Sequence, residues 1–328
     1  MQSNLISHVL LYLAIIATSL CLRERKPYIF GVISIAICLL FFDLSDIEEY
    51  RNHYELAGRA GFDHVVSLYN FEPGYVLLVV LIAHFLPFEA FYVIAISLAI
   101  HAYIKFFEQS VGKGHYVYAV FFLSSCLYFV SFTLRTTIAS TFLAYAILCL
   151  KNKKNILAVI LITVGATFHV VIAPMIILPI LNKYSGLIAK HYLSFYAIVI
   201  AISIAIAKNL SLTPFVGVNE IVDLKISSYD DANINSNSIF FGLWAIAFAG
   251  SYVSFRKFDE FDRVLVIASV ATILLLYPFE FVQGRFMWLT SFVFAYIFAK
   301  GTFMRIDFGS AGRLILVNTL PLVVFFRF

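Results

Sequence analysis

The stretch Val264-Leu-Val-Ile-Ala-Ser-Val-Ala-Thr-Ile-Leu-Leu-Leu-Tyr277 decides the fold class. It contains no charge and is apolar on every side, with no alternation of apolar and polar residues. Leu10–Leu22, Ile29–Phe42 and Tyr192–Ala207 read the same way. A strand of a membrane barrel alternates between lipid-facing and lumen-facing residues, so these runs predict helices. Backbone groups inside a bilayer have no water to bond, and a helix satisfies them internally.

Composition extends this reading to the whole chain. Of 328 residues, 62% are hydrophobic and 13% charged, with mean hydropathy +0.93. Soluble domains carry about 45–50% apolar and about 25% charged residues, so this chain has too few polar residues to cover a soluble surface. The expected architecture is a single all-α polytopic membrane domain over residues 1–328, with about 10–12 transmembrane helices. Ser3–Leu22 reads as the first span and not as a cleaved signal, because it is long enough to cross and is followed by Arg23, Glu24, Arg25 and Lys26. Cys21, Cys38, Cys126 and Cys149 lie within or at the ends of apolar runs without metal spacing and read as buried small hydrophobes.

Loop charges set the orientation. Arg23/Arg25/Lys26, Lys105/Lys113, Lys151/Lys153/Lys154, Lys183/Lys190, Arg256/Lys257/Arg263 and Lys300/Arg305/Arg313 are basic clusters between apolar runs. Placing them in the cytoplasm puts sixteen of the 23 basic residues inside. Spans are then expected near 4–22, 27–42, 88–107, 115–132, 136–150, 191–207, 238–255, 264–280, 286–300 and 314–327. Two further, shortened crossings fall within 155–182 and turn near Phe168-His169. Tyr75–Leu86 is too short for a bilayer of about 30 Å and reads as a re-entrant or interfacial helix ended by Pro87. A first periplasmic segment therefore covers 43–87, and a second periplasmic loop covers 208–237.

The first outer segment opens with Asp43-Leu-Ser-Asp46-Ile-Glu-Glu-Tyr50-Arg51-Asn-His53-Tyr54. On a helix, Asp43, Asp46, Tyr50 and Tyr54 fall along one stripe. Carboxylates accept paired hydroxyl hydrogen bonds and aromatic faces stack on pyranose rings, so the stripe, with Arg51 beside it, suits a sugar. A solvated interfacial helix with a tyrosine belt gives the same pattern. Glu72-Pro73-Gly74-Tyr75 follows, in which Pro-Gly signals a turn. Glu72 either caps the next helix or, with Tyr75, contributes to substrate binding.

Arg135 interrupts an apolar series, and Arg285 sits in Glu280-Phe-Val-Gln-Gly-Arg285 between two expected spans. Ionisable groups at membrane depth are costly and face a cavity or a partner. A guanidinium fork matches phosphate oxygens, so both arginines are candidates to hold a lipid pyrophosphate. The alternatives are snorkelling to headgroups or pairing with Glu280 or Asp46. His169, between two apolar half-helices, is either a general base or a packing hydrogen-bond partner. No metal-ligand spacing or nucleotide loop is present in the sequence, and no metal, cofactor or nucleic-acid partner is expected.

Taken together, Asp46…Tyr50…Tyr54 with Glu72-Pro73-Gly74-Tyr75, then Leu134-Arg135-Thr-Thr-Ile138-Ala139 running to Lys151-Asn-Lys-Lys154, then Phe168-His169 with Pro174 and Pro179, resemble the EpsG family. That family is grouped with Wzy-type O-antigen and capsule polymerases. The similarity covers roughly 40–182, and Gly284-Arg285-Phe286 sits where such proteins often carry a late arginine. Thr136 stands where the family pattern often has glutamine.

The resemblance implies a GT-C-like fold and a metal-independent, lipid-dependent glycosyltransferase at the periplasmic face of the bacterial inner membrane. Its substrates would be undecaprenyl-pyrophosphate-linked oligosaccharide repeat units, joined into O-antigen or other surface polysaccharide. Bilayer lipid is an implied partner, as are a chain-length regulator and a flippase of the same pathway. Arg135 and Arg285 would meet the leaving pyrophosphate, and His169 or a carboxylate from Asp43, Asp46 or Glu72 would take the acceptor proton. Rival readings are an O-antigen ligase acting on lipopolysaccharide core, a lipid-linked oligosaccharide flippase, a membrane O-acyltransferase and a non-catalytic assembly protein.

Overall fold

Helix boundaries in this chain follow from a few residues that remove a backbone donor or admit an unusual dihedral. Pro73 occupies the first turn of one helix and Pro87 precedes another, positions where a missing N–H costs nothing. Gly112, at φ +70, ends the helix that begins at Phe88. Lys153, at φ 60, turns the chain after Lys151: its N–H bonds Leu150 O at 2.9 Å and that of Lys154 bonds Cys149 O at 2.8 Å. This is the Schellman pattern, here with lysine in the left-handed position that usually holds glycine.

The computed structural model describes residues 2–24, 26–41, 45–60, 71–112, 118–119, 122–123, 133–209, 258–276 and 280–301. Among the described residues, thirteen α-helices of six residues or more occur: α1 (Gln2–Arg23), α2 (Ile29–Leu40), α3 (Ser45–Ala57), α4 (Pro73–Ile82), α5 (Phe88–Val111), α6 (Leu134–Lys151), α7 (Asn155–Phe168), α8 (Ile177–Lys183), α9 (Ser185–Lys190), α10 (Tyr192–Asn209), α11 (Glu260–Leu275), α12 (Glu280–Leu289) and α13 (Ser291–Gly301). A 3₁₀ segment, Val170–Ile176, joins α7 to α8, and no strand occurs among the described residues. Phe88–Val111 and Leu134–Lys151 are each long and apolar enough to cross a membrane, and several shorter apolar helices accompany them. The all-helical expectation holds among the described residues, and these apolar helices are consistent with a helical membrane protein.

The chain divides into two units after Val170. In the first, α2 packs on α1 and α5, while α5, α6, α7, α4 and α3 follow one another around a ring closed by α3 against α5. Close approach within this unit depends on small residues. Gly31 of α2 lies against Thr18 of α1, where a Cβ would collide with the threonine hydroxyl. Outward-facing Leu77, Leu81, Ile94, Leu98, Ile156 and Ile160 are exposed, as expected of faces solvated by lipid. In the second unit α11 is central and touches α8, α9, α10 and α12, with α12 also against α13.

Several boundaries differ from the sequence reading. The short helix expected over 75–86 starts at Pro73 and ends at Ile82, so Gly74 is helical and not the corner of a turn. The expected span near 286–300 is instead part of two successive helices, α12 and α13. Thr290 lies at their junction, its hydroxyl bonded back to Phe286 O at 2.8 Å, a contact that competes with regular helix geometry. Arg285, expected in a connection between spans, therefore sits inside α12, where Gly284 is tolerated as a buried helical residue. Val170–Lys183 is an apolar 3₁₀ segment followed by α8, its 3₁₀ half rising about 2.0 Å per residue against about 1.5 Å for α-helix. The expected loop at 208–237 beyond Asn209, where α10 ends, and the expected spans at 238–255, 314–327 and most of 115–132 lie outside the described residues.

Candidate functional site

Three ends of helices in the ring converge on a single carboxylate. Glu72 immediately precedes α4 in extended conformation, and its side chain makes no capping hydrogen bond. Its backbone carbonyl starts the helix by accepting from Tyr75 and Val76, which leaves both carboxylate oxygens for tertiary partners. Oε2 accepts from Nη1 of Arg135, the second residue of α6. Oε1 lies 3.0 Å from Nδ1 of His169, the residue that ends α7. The capping alternative for Glu72 is thus replaced by a role joining α4, α6 and α7.

Arg135 is held on three sides. Besides Glu72, its Nε donates to the Tyr50 hydroxyl at 3.3 Å, and its guanidinium lies 4.2 Å from the centroid of the Phe71 ring. Tyr50 stacks on Phe71 at 5.7 Å and meets the edge of Tyr75 at 5.8 Å. The arrangement uses the planar fork of arginine for hydrogen bonds and its face for the aromatic ring. Arg135 pairs with Glu72, a partner the sequence alternatives did not name.

His169 is 7% exposed and Glu72 9%. The backbone N–H of His169 bonds Gly165 O at 3.0 Å, so the ring is carried at the last turn of α7 while its own backbone is already extended. A carboxylate only accepts, so Nδ1 carries the hydrogen of this bond and Nε2 is the ring nitrogen left to serve another partner. Meanwhile α4 and α6 begin at the carboxylate and the guanidinium, and helix N-termini favour anions.

The approach of α4 to α7 rests on Gly74. A Cβ built there would lie 2.7 Å from Cβ of Thr167 and 2.8 Å from its carbonyl oxygen. His53 is a further residue of the cluster that the sequence reading did not single out. It is fully buried between Phe71, at 4.6 Å, and Tyr75, at 5.6 Å. Burial pushes its imidazole down to about 4, with the Arg135 charge adding to the effect. Phe71 and Thr167 were also missed. They are ordinary apolar and polar residues in the sequence, and only their neighbours give them a role.

Tyr50, Glu72, Tyr75, Arg135 and His169 are thus gathered in one place. Tyr54 and Arg51 face other partners: the Tyr54 hydroxyl donates to Leu86 O at 2.9 Å and its ring stacks on Phe91, while Arg51 pairs with Glu48 at 3.3 Å and Glu89 at 3.4 Å. Both tie α3 to the start of α5. Asp46 lies in the first turn of α3 with intermediate exposure. Asp43 and the side chain of Glu280 lie outside the described residues. Arg285 belongs to the second unit, where its guanidinium lies 4.9 Å from the Trp288 ring. Among the described residues no group of three or more His, Cys, Asp or Glu could hold a metal ion.

The EpsG family model matches residues 26–328, well beyond the 40–182 stretch that carries the motif resemblance. No curated protein and no solved structure matches the chain. With nearly its whole length covered, and with Glu72, Arg135 and His169 in one cluster, this chain belongs to the EpsG family.

Proposed function

We propose that this protein is a polymerase that joins undecaprenyl-pyrophosphate-linked oligosaccharide repeat units at the periplasmic face of the bacterial inner membrane. Family membership supports a polysaccharide polymerase-like activity in general. The observation that carries the finer reading is the single carboxylate of Glu72, which bridges a guanidinium suited to a phosphate and an imidazole suited to proton transfer. The orientation rests on charge: Arg135 opens α6, and Lys151 closes it at the end the basic clusters assign to the cytoplasm. In this reading the chain makes ten to twelve crossings in a GT-C-like arrangement.

The reaction follows from these groups. The donor pyrophosphate binds Arg135, whose fork now serves the phosphate oxygens as well as Glu72. The acceptor sugar hydroxyl approaches Nε2 of His169. Its oxygen bonds to the anomeric carbon of the donor, the bond from that carbon to the phosphate oxygen breaks, and the proton passes to His169. Glu72 holds Nδ1–H and stabilises the imidazolium. Undecaprenyl pyrophosphate leaves with the bonding electrons, its charge offset by Arg135. Arg285, whose guanidinium fork also matches phosphate oxygens, is proposed separately as a phosphate-binding residue of the second unit. Tyr50 and Tyr75, with Asp43, Asp46, Arg51 and Tyr54, belong to the sugar-binding surface of the proposal, and Glu280 is proposed separately as a sugar-binding residue of the second unit. The exposed apolar stripes of α4 and α7 lead away from the centre and suit the lipid tail.

The test is deletion of the gene followed by glycan analysis. Surface glycan reduced to one repeat unit, with the ladder of lengths gone, is the expected result. Absence of all surface glycan with lipid-linked units trapped inside would instead indicate a flippase. Loss of attachment to lipopolysaccharide core with polymer intact on its lipid would indicate a ligase. Arg285→Ala should shorten or abolish the ladder at normal protein level, and an unchanged ladder removes Arg285 from the proposal.

A further inference from the structure

The geometry points to Gly74 as a positioning residue: its missing side chain sets the spacing of α4 and α7, and through it the Glu72–His169 hydrogen bond. This deepens the polymerase reading and rests on it. The contacts that a Cβ would make are of two kinds. The threonine hydroxyl of Thr167 could rotate away, but its Cβ at 2.7 Å and its backbone carbonyl oxygen at 2.8 Å are fixed by the path of α7. Ordinary contact would need the two helices to separate by several tenths of an ångström or more.

That separation falls where it matters. Gly74 is two residues from Glu72, and Thr167 is two residues from His169. Opening the crossing therefore lengthens the 3.0 Å bond between Oε1 and Nδ1. The bond lies within hydrogen-bonding reach now and would leave it with a shift of less than 1 Å. Arg135 enters from α6, on the other side of the carboxylate, so its pairing with Glu72 would survive. Alanine is also the better helix former at this position, so helix propensity does not explain the glycine. The need for glycine lies in the contact with Thr167, and the contact lies between the two residues that hold the base.

The experiment measures the rate of chain lengthening from lipid-linked repeat units in membranes carrying the full-length protein. Gly74→Ala is expected to lower that rate by up to about a hundredfold, the scale of a misplacement near 1 Å, at unchanged protein level. Thr167→Ala leaves the Cβ and carbonyl contacts and should not rescue it. Thr167→Gly removes the Cβ contact and should restore part of the rate. In a Glu72→Gln background, where the bond is already altered, Gly74→Ala should add no further loss.

A wild-type rate for Gly74→Ala overturns the inference, as does an equal further loss in the Glu72→Gln background, the mark of a merely structural glycine. Should Gly74→Ala fail to accumulate, the double variant Gly74→Ala/Thr167→Gly replaces it. Wild-type rates from that protein, with the carbonyl contact still present, also overturn the inference. If Glu72→Gln and His169→Ala leave the ladder untouched, the polymerase reading of the site falls and this inference with it. If those two abolish the ladder and Gly74→Ala does not, only the positioning role falls.

Discussion

Glu72 Oε1 and His169 Nδ1 lie 3.0 Å apart although ninety-seven positions separate them in the chain. The same carboxylate reaches Arg135, sixty-three positions away, through its other oxygen. A half-buried guanidinium and a buried imidazole on one carboxylate constrain each other, and any substitution at one is felt at the others.

Glu72→Gln tests the orientation of His169. The amide keeps the size of the side chain but loses its charge, so it can no longer stabilise the imidazolium. We expect chain lengthening to fall by about 10²–10⁴-fold, the usual worth of a general base and its orienting group. The rate in membranes, normalised to protein level, is the measurement, and a fall of less than threefold would remove Glu72 from the mechanism.

Arg135→Ala and Arg135→Lys separate charge from geometry. Alanine leaves Glu72 buried without its cation, and breaking such a pair typically costs about 3–5 kcal/mol. A fall in accumulation or melting temperature is therefore expected alongside lost activity. Lysine keeps the charge but cannot serve Glu72 and Tyr50 together while lying flat on Phe71. Near-normal melting in detergent with the glycan ladder lost is the expected result for Arg135→Lys.

Tyr50→Phe removes the acceptor for Nε of Arg135 and keeps the ring packing on Phe71. A hydrogen bond to a charged donor is worth about 1.5–3 kcal/mol, so a loss of about tenfold or more in rate is expected. If melting shifts and the rate does not, Tyr50 belongs to the fold and not to the site.

His53 supplies a pH dependence. Its pKa is about 4 in the folded protein, against the ordinary 6.5. Below 6.5 the unfolded chain takes up a proton that the folded chain refuses, so stability falls with falling pH through the window from 6.5 to about 4. At about 1.4 kcal/mol per unit the full loss is about 3 kcal/mol. His53→Phe keeps an aromatic ring between Phe71 and Tyr75, so detergent melts between pH 7 and pH 5 should slope less steeply for that variant. Parallel slopes would rule out His53 as the titrating group.

The second unit holds an ion pair of its own. Lys300 of α13 donates to Asp262 of α11, which is 1% exposed and also accepts from the Tyr296 hydroxyl at 2.7 Å. Lys300→Met strands the carboxylate and should destabilise by about 3–5 kcal/mol. Adding Asp262→Leu removes the stranded charge, so the double variant should melt above the single one. A double variant that melts no higher than Lys300→Met would show that Asp262 contributes mainly through its capping of α11.

Much of the architecture was legible because lipid and backbone chemistry act locally. Runs such as Val264–Tyr277 demand helices wherever they fall, Pro73 and Pro87 mark helix starts, and the Lys151–Lys154 cluster marks a turn between two helices. Arg135, Glu72 and His169 stood out for a similar reason, since each is an expensive residue beside apolar sequence. The stripe on α3 was legible only in part. Tyr50 and Tyr54 share a face, but one meets Arg135 while the other bonds Leu86, a division that depends on which helix lies opposite each turn. The Pro73-Gly74 pair misled for the same reason: it reads as a corner locally, and Thr167 gives it its purpose.

The sequence by itself determined that the described residues are helical, that its long apolar runs suit a membrane protein, and that a few ionisable residues are candidates for chemistry, because hydropathy and desolvation cost are properties of single residues and short runs. The tertiary structure alone decided that Glu72 serves both Arg135 and His169, that Tyr50 and Phe71 hold the guanidinium, and that Gly74 lets two helices approach closely enough for the bond to form. Those relationships depend on helix packing across roughly a hundred residues, and no local pattern carries that information.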